Sequence, residues 1–248
     1  MARVIRSAPA DDLPWWRAYL SGARDDDWYR SLFSFAPRQS LAGDITPRYT
    51  LCNAADIRWI KAVVPTAKLL FMIRHPVERF ASQCRMKIED STLSNDERGM
   101  LELFASPNGK PRGDYCSTIL RYLCEFDPQS MLIIFYDAIA ARPADVMDGV
   151  CDFLKLPRHR WQDQELARRV NVSRRRDPLP NKVQDHVSAA YDHELRALDE
   201  IFGGYASAWR ARTSPALVSS VAPPATVRLT EDHVRRLVRF STGMEVTP

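Results

Sequence analysis

Glycine is scarce in this chain. There are nine in 248 residues, and none precedes Gly22. No lysine occurs before Lys61, and no Gly-x-x-x-x-Gly-Lys-[Ser/Thr] string occurs anywhere. A P-loop kinase needs that string to cradle its phosphates, so this class is disfavoured. Cysteine is present but unpaired in pattern. Cys52, Cys84, Cys116, Cys124 and Cys151 are odd in number and contain no Cys-x-x-Cys. That argues against a disulfide framework and for a reducing compartment, with the cytoplasm as the expected location. The five histidines show no metal-ligand spacing, so no metal is expected. No apolar run approaches a membrane span. Asp11, Asp12 and Pro14 interrupt the N-terminal stretch where a secretory signal would have its apolar core. A net charge of +4 is too small for a dedicated nucleic-acid binder but suits an anionic small ligand.

What is present is the composition of an ordinary globular protein, 45% hydrophobic and 27% charged. The length suits one sizeable α/β core. Residues 1–212 read as that domain. Residues 213–228, with Pro215, Pro223 and Pro224 among small residues, read as a linker. Residues 229–248 read as a short helix, capped at Thr230, and a tail. No internal repeat occurs.

The most informative stretch is Lys68 to Ser82. Leu69 to Ile73 is too short for a helix and too apolar for a surface loop, so it is expected to be a buried parallel strand. Pro76 suits the first position of a helix whose apolar face is Val77, Phe80 and Ala81. Arg74 therefore stands at the carboxyl end of a strand, where open α/β sheets bind ligands. Ser82 lies two helical turns on. An arginine offers charge and a planar fork, and a serine a hydroxyl donor, so the two suit one phosphate. A plain strand–helix unit with surface arginines is the alternative.

Further elements follow from periodicity. Helices are expected at Leu13–Leu20, 27–33, Ala54–Val64 with Asn53 as N-cap, 115–126, from Pro143, and as one long helix over 184–202. A short strand is expected near Ser40, running into a Pro-containing loop. Residues 131–136 read as a second buried strand, and 89–113 as a long loop, with or without a short helix. Two buried strands joined through helices imply parallel pairing.

The segment from Arg74 to Ser82 resembles the 3′-phosphate-binding motif of sulfotransferases that use 3′-phosphoadenosine 5′-phosphosulfate (PAPS). In that family an arginine ends the strand, a proline opens the helix, and a serine follows eight residues after the first arginine. The resemblance, especially to the bacterial and heparan-type branches, covers most of Trp28 to Trp209. Gly43-Asp-Ile-Thr-Pro-Arg-Tyr49, Gly113-x-Tyr115, Met131 to Asp137, and Phe153-Leu-Lys-Leu-Pro157 all have counterparts in it. It implies a three-layer α/β fold related to P-loop NTPases, with a central parallel sheet. It further implies PAPS as sulfuryl donor and a hydroxyl or amine of a carbohydrate or small molecule as acceptor. By the same resemblance Arg74 and Ser82 bind the cofactor, and Arg174 and Arg175 fall where a basic loop returns to the 3′-phosphate. Asp44 and Tyr49 line the acceptor cleft by analogy, although Asp44 equally suits the cap of a turn.

The chain departs from the family at its N-terminus. The usual Pro-Lys-x-Gly-Thr loop, which cradles the 5′-phosphosulfate, is not seen, and neither is the element that often supplies a catalytic base. The sheet is therefore expected to lack its first strand, and no catalytic residue is assigned. A non-catalytic or truncated nucleotide-binding remnant is the alternative reading. A nucleic-acid module would rest on Arg174–Arg176 alone, without interleaved aromatics.

Overall fold

The protein is described by a computed structural model covering residues 9–38, 40–166, 176–211 and 222–242. In chain order, α1 spans Leu13–Leu20, α2 Asp26–Ser31 and α3 Ala54–Val63. Strand β1 is Leu69–Ile73, followed by α4 (Pro76–Glu89), α5 (Glu97–Ala105) and α6 (Tyr115–Leu123). Strand β2 is Met131–Phe135, followed by α7 (Tyr136–Ala141), α8 (Pro143–Leu154) and α9 (Asp163–Leu166). Then come α10 (Asn181–Ala190), α11 (Asp192–Phe202), α12 (Tyr205–Ala211), β3 (Thr226–Arg228) and α13 (Glu231–Thr242). The architecture is α/β.

The sheet has the order β1-β2-β3 among the described residues. β1 and β2 are parallel, in register from Leu69 opposite Met131 to Ile73 opposite Phe135. β3 is antiparallel to β2, with Ile133 opposite Val227. The sheet is thus mixed, not purely parallel. All five residues of β2 are buried, so helices cover both of its faces. β1 is half-covered: Leu70 and Met72 are 46% and 49% exposed. Its outer edge pairs with no strand among the described residues.

Local chemistry explains the elements. Asn53 caps α3 through the Ala55 and Asp56 amides, and the Asp56 carboxylate accepts from the Asn53 N–H in return. That reciprocal box is worth about 1 kcal/mol. Pro76 occupies the first turn of α4, and the buried Val77, Phe80, Ala81 and Cys84 form its inner face. They pack with Met100, Phe104, Val183 and Val187 from α5 and α10 in one core. A larger core joins β2 to α6, α8, α11, α12 and α13. Burying each such Leu, Ile or Phe side chain contributes roughly 1.5–3 kcal/mol.

The structure revises three local expectations and settles a fourth. Residues near Ser40 form no strand. Residues 40–46 are irregular, and Pro47–Leu51 is a 3₁₀ turn braced by its own side chains. Of the two forms expected for 89–113, the structure has the loop around a short helix: residues 97–105 are helical because Asp96 caps the Gly99 amide and Met100 and Phe104 are buried. The single helix over 184–202 is two. Tyr191, at φ −102° and ψ 4°, breaks it and is fully buried with its hydroxyl donating to Lys110 O at 2.8 Å. Finally, Thr226–Arg228, inside the segment read as a linker, is β3. The flanking Ala225 and Leu229 are buried, and the following helix docks through Leu237. Gly149 on α8 lets β3 approach, since a Cβ there would collide with the Thr226 side chain.

Candidate functional site

The site is built where β1 and β2 end side by side. Their register places Ile73 opposite Phe135, so the next residues, Arg74 and Tyr136, leave the sheet together. The Arg74 guanidinium lies over the Tyr136 ring, with its carbon 4.7 Å from the centroid. Tyr136 remains 44% exposed and offers an aromatic surface at the mouth of the site. Sequence reasoning missed it. The signal was available, because equal offsets past two parallel strands fall on the same sheet edge.

Arg74 also reaches Glu78, Nη2 to Oε2 at 3.6 Å, with 27% of its side chain exposed. Glu78 and Ser82 are four residues apart on α4, hence on one helix face. The guanidinium therefore stands over the face that carries Ser82. A long, single contact to an exposed carboxylate leaves most of the arginine fork uncommitted. The amino end of the 14-residue α4 lies beside it, and its dipole favours an anion there.

The backbone under Arg74 is fixed from α6. The Arg74 N–H donates to the Tyr115 hydroxyl at 3.4 Å, and the Tyr115 ring meets Phe71 edge-on. Tyr115 is buried, which pushes its phenol well above the usual range, so it stays protonated. Gly113 precedes it because a Cβ would lie 2.6 Å from the Tyr191 hydroxyl. Glu194 closes the amino end of α6, accepting from the Cys116 N–H at 2.9 Å. Burial pushes its carboxyl up to about 7, against the hydrogen bonds that favour its charge. With Asp114, Ser117, His193 and Phe240 it lines a cavity of roughly 280 Å³ between α6, α11 and α13.

The other residues singled out from the sequence fall as follows. Asp44 and Tyr49 do meet: the Tyr49 hydroxyl donates to Asp44, which also accepts from Thr46 Oγ1 at 2.9 Å. In this arrangement Asp44 braces the turn before Pro47. Burial and the Asp44 contact raise the Tyr49 phenol. Arg174 and Arg175 lie outside the described residues. The chain just beyond them returns to α4, where Arg85 Nη1 donates to Asp177 O at 3.4 Å, three residues from Ser82. Cys116 and Cys151 are buried, as expected of core thiols. Among the described residues no group of three or more His, Cys, Asp or Glu is placed to hold a metal. Nor is any described helix long and apolar enough to cross a membrane.

The fold is α/β, with Arg74 at the carboxyl end of a parallel strand. The sequence profile of the Sulfotransferase family matches residues 14–163. The chain belongs to the sulfotransferase family. No curated protein sequence matches it significantly. Among solved structures, a sulfotransferase from Alicyclobacillus acidocaldarius superposes with a TM-score of 0.62 at 20% identity, over 82% of this chain and 80% of that one. The sulfotransferase domain from the curacin biosynthetic pathway gives a TM-score of 0.41 at 19% identity, over 67% of each chain. The first of these likenesses supports the fold.

Proposed function

We propose that the protein transfers a sulfuryl group from PAPS to a hydroxyl or amine of a carbohydrate or small-molecule acceptor. The observation that carries this reading is the placement of Arg74. It sits at the carboxyl end of a parallel strand, held over Tyr136, with its guanidinium along the α4 face that bears Ser82. In this reading Arg74 supplies the charge and fork for the 3′-phosphate, Ser82 adds a hydroxyl donor, and the amino end of α4 adds its dipole. Arg174 and Arg175 are proposed, by the family resemblance alone, to add charge at the same phosphate. Tyr136 offers a flat apolar face to the nucleotide. PAPS supplies the sulfuryl group, and the described residues bind and orient it. Tyr49 and Asp44 are the residues proposed to line the acceptor side. No catalytic base is assigned, and no metal is required of this site.

The second reading, nucleotide binding without transfer, is favoured by the outer edge of β1, which pairs with no strand among the described residues and leaves Leu70 and Met72 half-exposed. Incubation with sulfur-labelled PAPS and a panel of hydroxyl and amine acceptors separates the two. Labelled product that disappears in Arg74→Ala supports transfer. Tight binding of PAPS with no labelled product across the panel supports the second reading.

A further inference from the structure

Three arginines converge beside the proposed acceptor loop from three different segments. Arg48 belongs to the 3₁₀ turn Pro47–Leu51, Arg79 to α4, and Arg112 to the 3₁₀ turn Lys110–Gly113. Arg112 Nη1 donates to Pro47 O at 3.2 Å, which ties the two turns together. Arg79 Nη2 donates to Gly109 O at 3.2 Å and Nη1 to Gln83 Oε1 at 2.7 Å. The Nε atoms of Arg79 and Arg112 are buried and have no acceptor among the described residues. The Arg48 side chain is exposed.

Like charges brought together normally bring acids with them. Here none of the three forms an ion pair among the described residues. The acids on the same segments are engaged elsewhere: Asp114 pairs with Lys110 at 2.7 Å, and Asp44 accepts from Thr46 and Tyr49. Burial, then the charges of Arg79 and Arg48, lower the Arg112 guanidinium from its ordinary value. Among the described residues the cluster thus carries positive charge without a paired acid and two buried donors without an acceptor, an arrangement that costs free energy until an anion enters.

We propose that Arg48, Arg79 and Arg112 form a second oxyanion subsite, which takes a carboxylate or sulfate ester carried by the acceptor. This rests on the sulfotransferase reading for the word acceptor, but the subsite itself does not. Arg48 adjoins Tyr49, so the anion is held at the loop proposed to line the acceptor side. The acceptor is then an acidic molecule, with its anionic group set apart from the hydroxyl or amine that receives the sulfuryl group.

The test uses inorganic sulfate as probe, from 0 to 20 mM, with chloride adjusted to hold ionic strength constant. The thermal midpoint is followed with and without saturating 3′-phosphoadenosine 5′-phosphate. Sulfate is expected to raise the midpoint in both arms, and by more without the nucleotide, because the Arg74 site is then open to it as well. In the nucleotide-saturated arm Arg48→Ala should cut the sulfate-dependent shift at least threefold, and Arg112→Gln should abolish it. Arg48 is exposed and its side chain makes no hydrogen bond among the described residues, so Arg48→Ala stays informative if Arg112→Gln folds poorly. The proposal is overturned if the shift persists undiminished in Arg48→Ala, the result of a general salt effect. It is equally overturned if the nucleotide abolishes the shift, which would give the anion to the nucleotide's own phosphate site. If the nucleotide itself does not bind, the PAPS reading fails, while the nucleotide-free arm still decides the arginine subsite.

Discussion

Replacing Glu194 by glutamine should change how stability depends on pH. The carboxyl is raised from an ordinary 4.5 to about 7 in the fold, chiefly by burial. Below pH 4.5 it is protonated in both folded and unfolded chains. Between 4.5 and 7 the unfolded chain ionises while the folded chain holds its proton, so stability falls as pH rises. Above 7 the loss is complete. A shift of 2.5 would correspond to about 3 kcal/mol. Glu194 is only partly sealed by the cavity wall, so about 1–3 kcal/mol is the expected loss. Glutamine keeps an acceptor for the Cys116 N–H at the start of α6 but carries no charge to desolvate. Glu194→Gln should therefore lose this downward slope and exceed the parent by about 1–3 kcal/mol at pH 8. His233, whose pKa burial lowers, gives a slope of opposite sign in both proteins, so the difference curve isolates Glu194. The assay is urea unfolding at half-unit steps from pH 4.5 to 8. Parallel curves for parent and variant would refute the reasoning.

Other substitutions read the rest of the site. Arg74→Ala should weaken binding of 3′-phosphoadenosine 5′-phosphate by about 1.5–3 kcal/mol, and Ser82→Ala by about 1 kcal/mol, both measured calorimetrically. Unchanged affinity in a folded Arg74→Ala would remove the phosphate site. Glu78→Gln, which takes away the carboxylate competing for Arg74, should tighten the same nucleotide by about 0.5 kcal/mol; weaker binding would show that Glu78 holds the arginine in place. Gly149→Ala should cost about 1–3 kcal/mol of stability, because its methyl meets Thr226 of β3. A neutral result by denaturant unfolding would mean that β3 does not press on α8 as described.

The parts of the fold legible in the sequence are those written in short-range patterns. β1, the proline that opens α4, the Asn53 cap of α3 and the apolar run of β2 all stand where the residues place them. What escaped depends on long-range contact. Tyr191 carries a helical pattern on both sides, and the helix breaks where its side chain is buried and bonded to Lys110 O, 81 residues away. β3 is three residues in a proline-containing segment, and its strand character comes from pairing with Ile133. The strand expected near Ser40 has β-compatible residues, but the turn side chains of Asp44, Thr46 and Tyr49 bond to one another. At the candidate site, the placement of Arg74 at a strand end and of Ser82 two turns along α4 was readable from spacing. Tyr136, Glu194 and the Arg48–Arg79–Arg112 cluster were not, because each takes its meaning from residues brought together across the chain.

The central claim is that Arg74 and Ser82 form a binding site for a 3′-phosphate. Calorimetric titration with 3′-phosphoadenosine 5′-phosphate, against adenosine 5′-phosphate as control, tests it most directly. The account predicts that the 3′-phosphate strengthens binding at least tenfold, and that Arg74→Ala erases the difference. Equal affinity for the two nucleotides, or no binding by a folded sample, would contradict it.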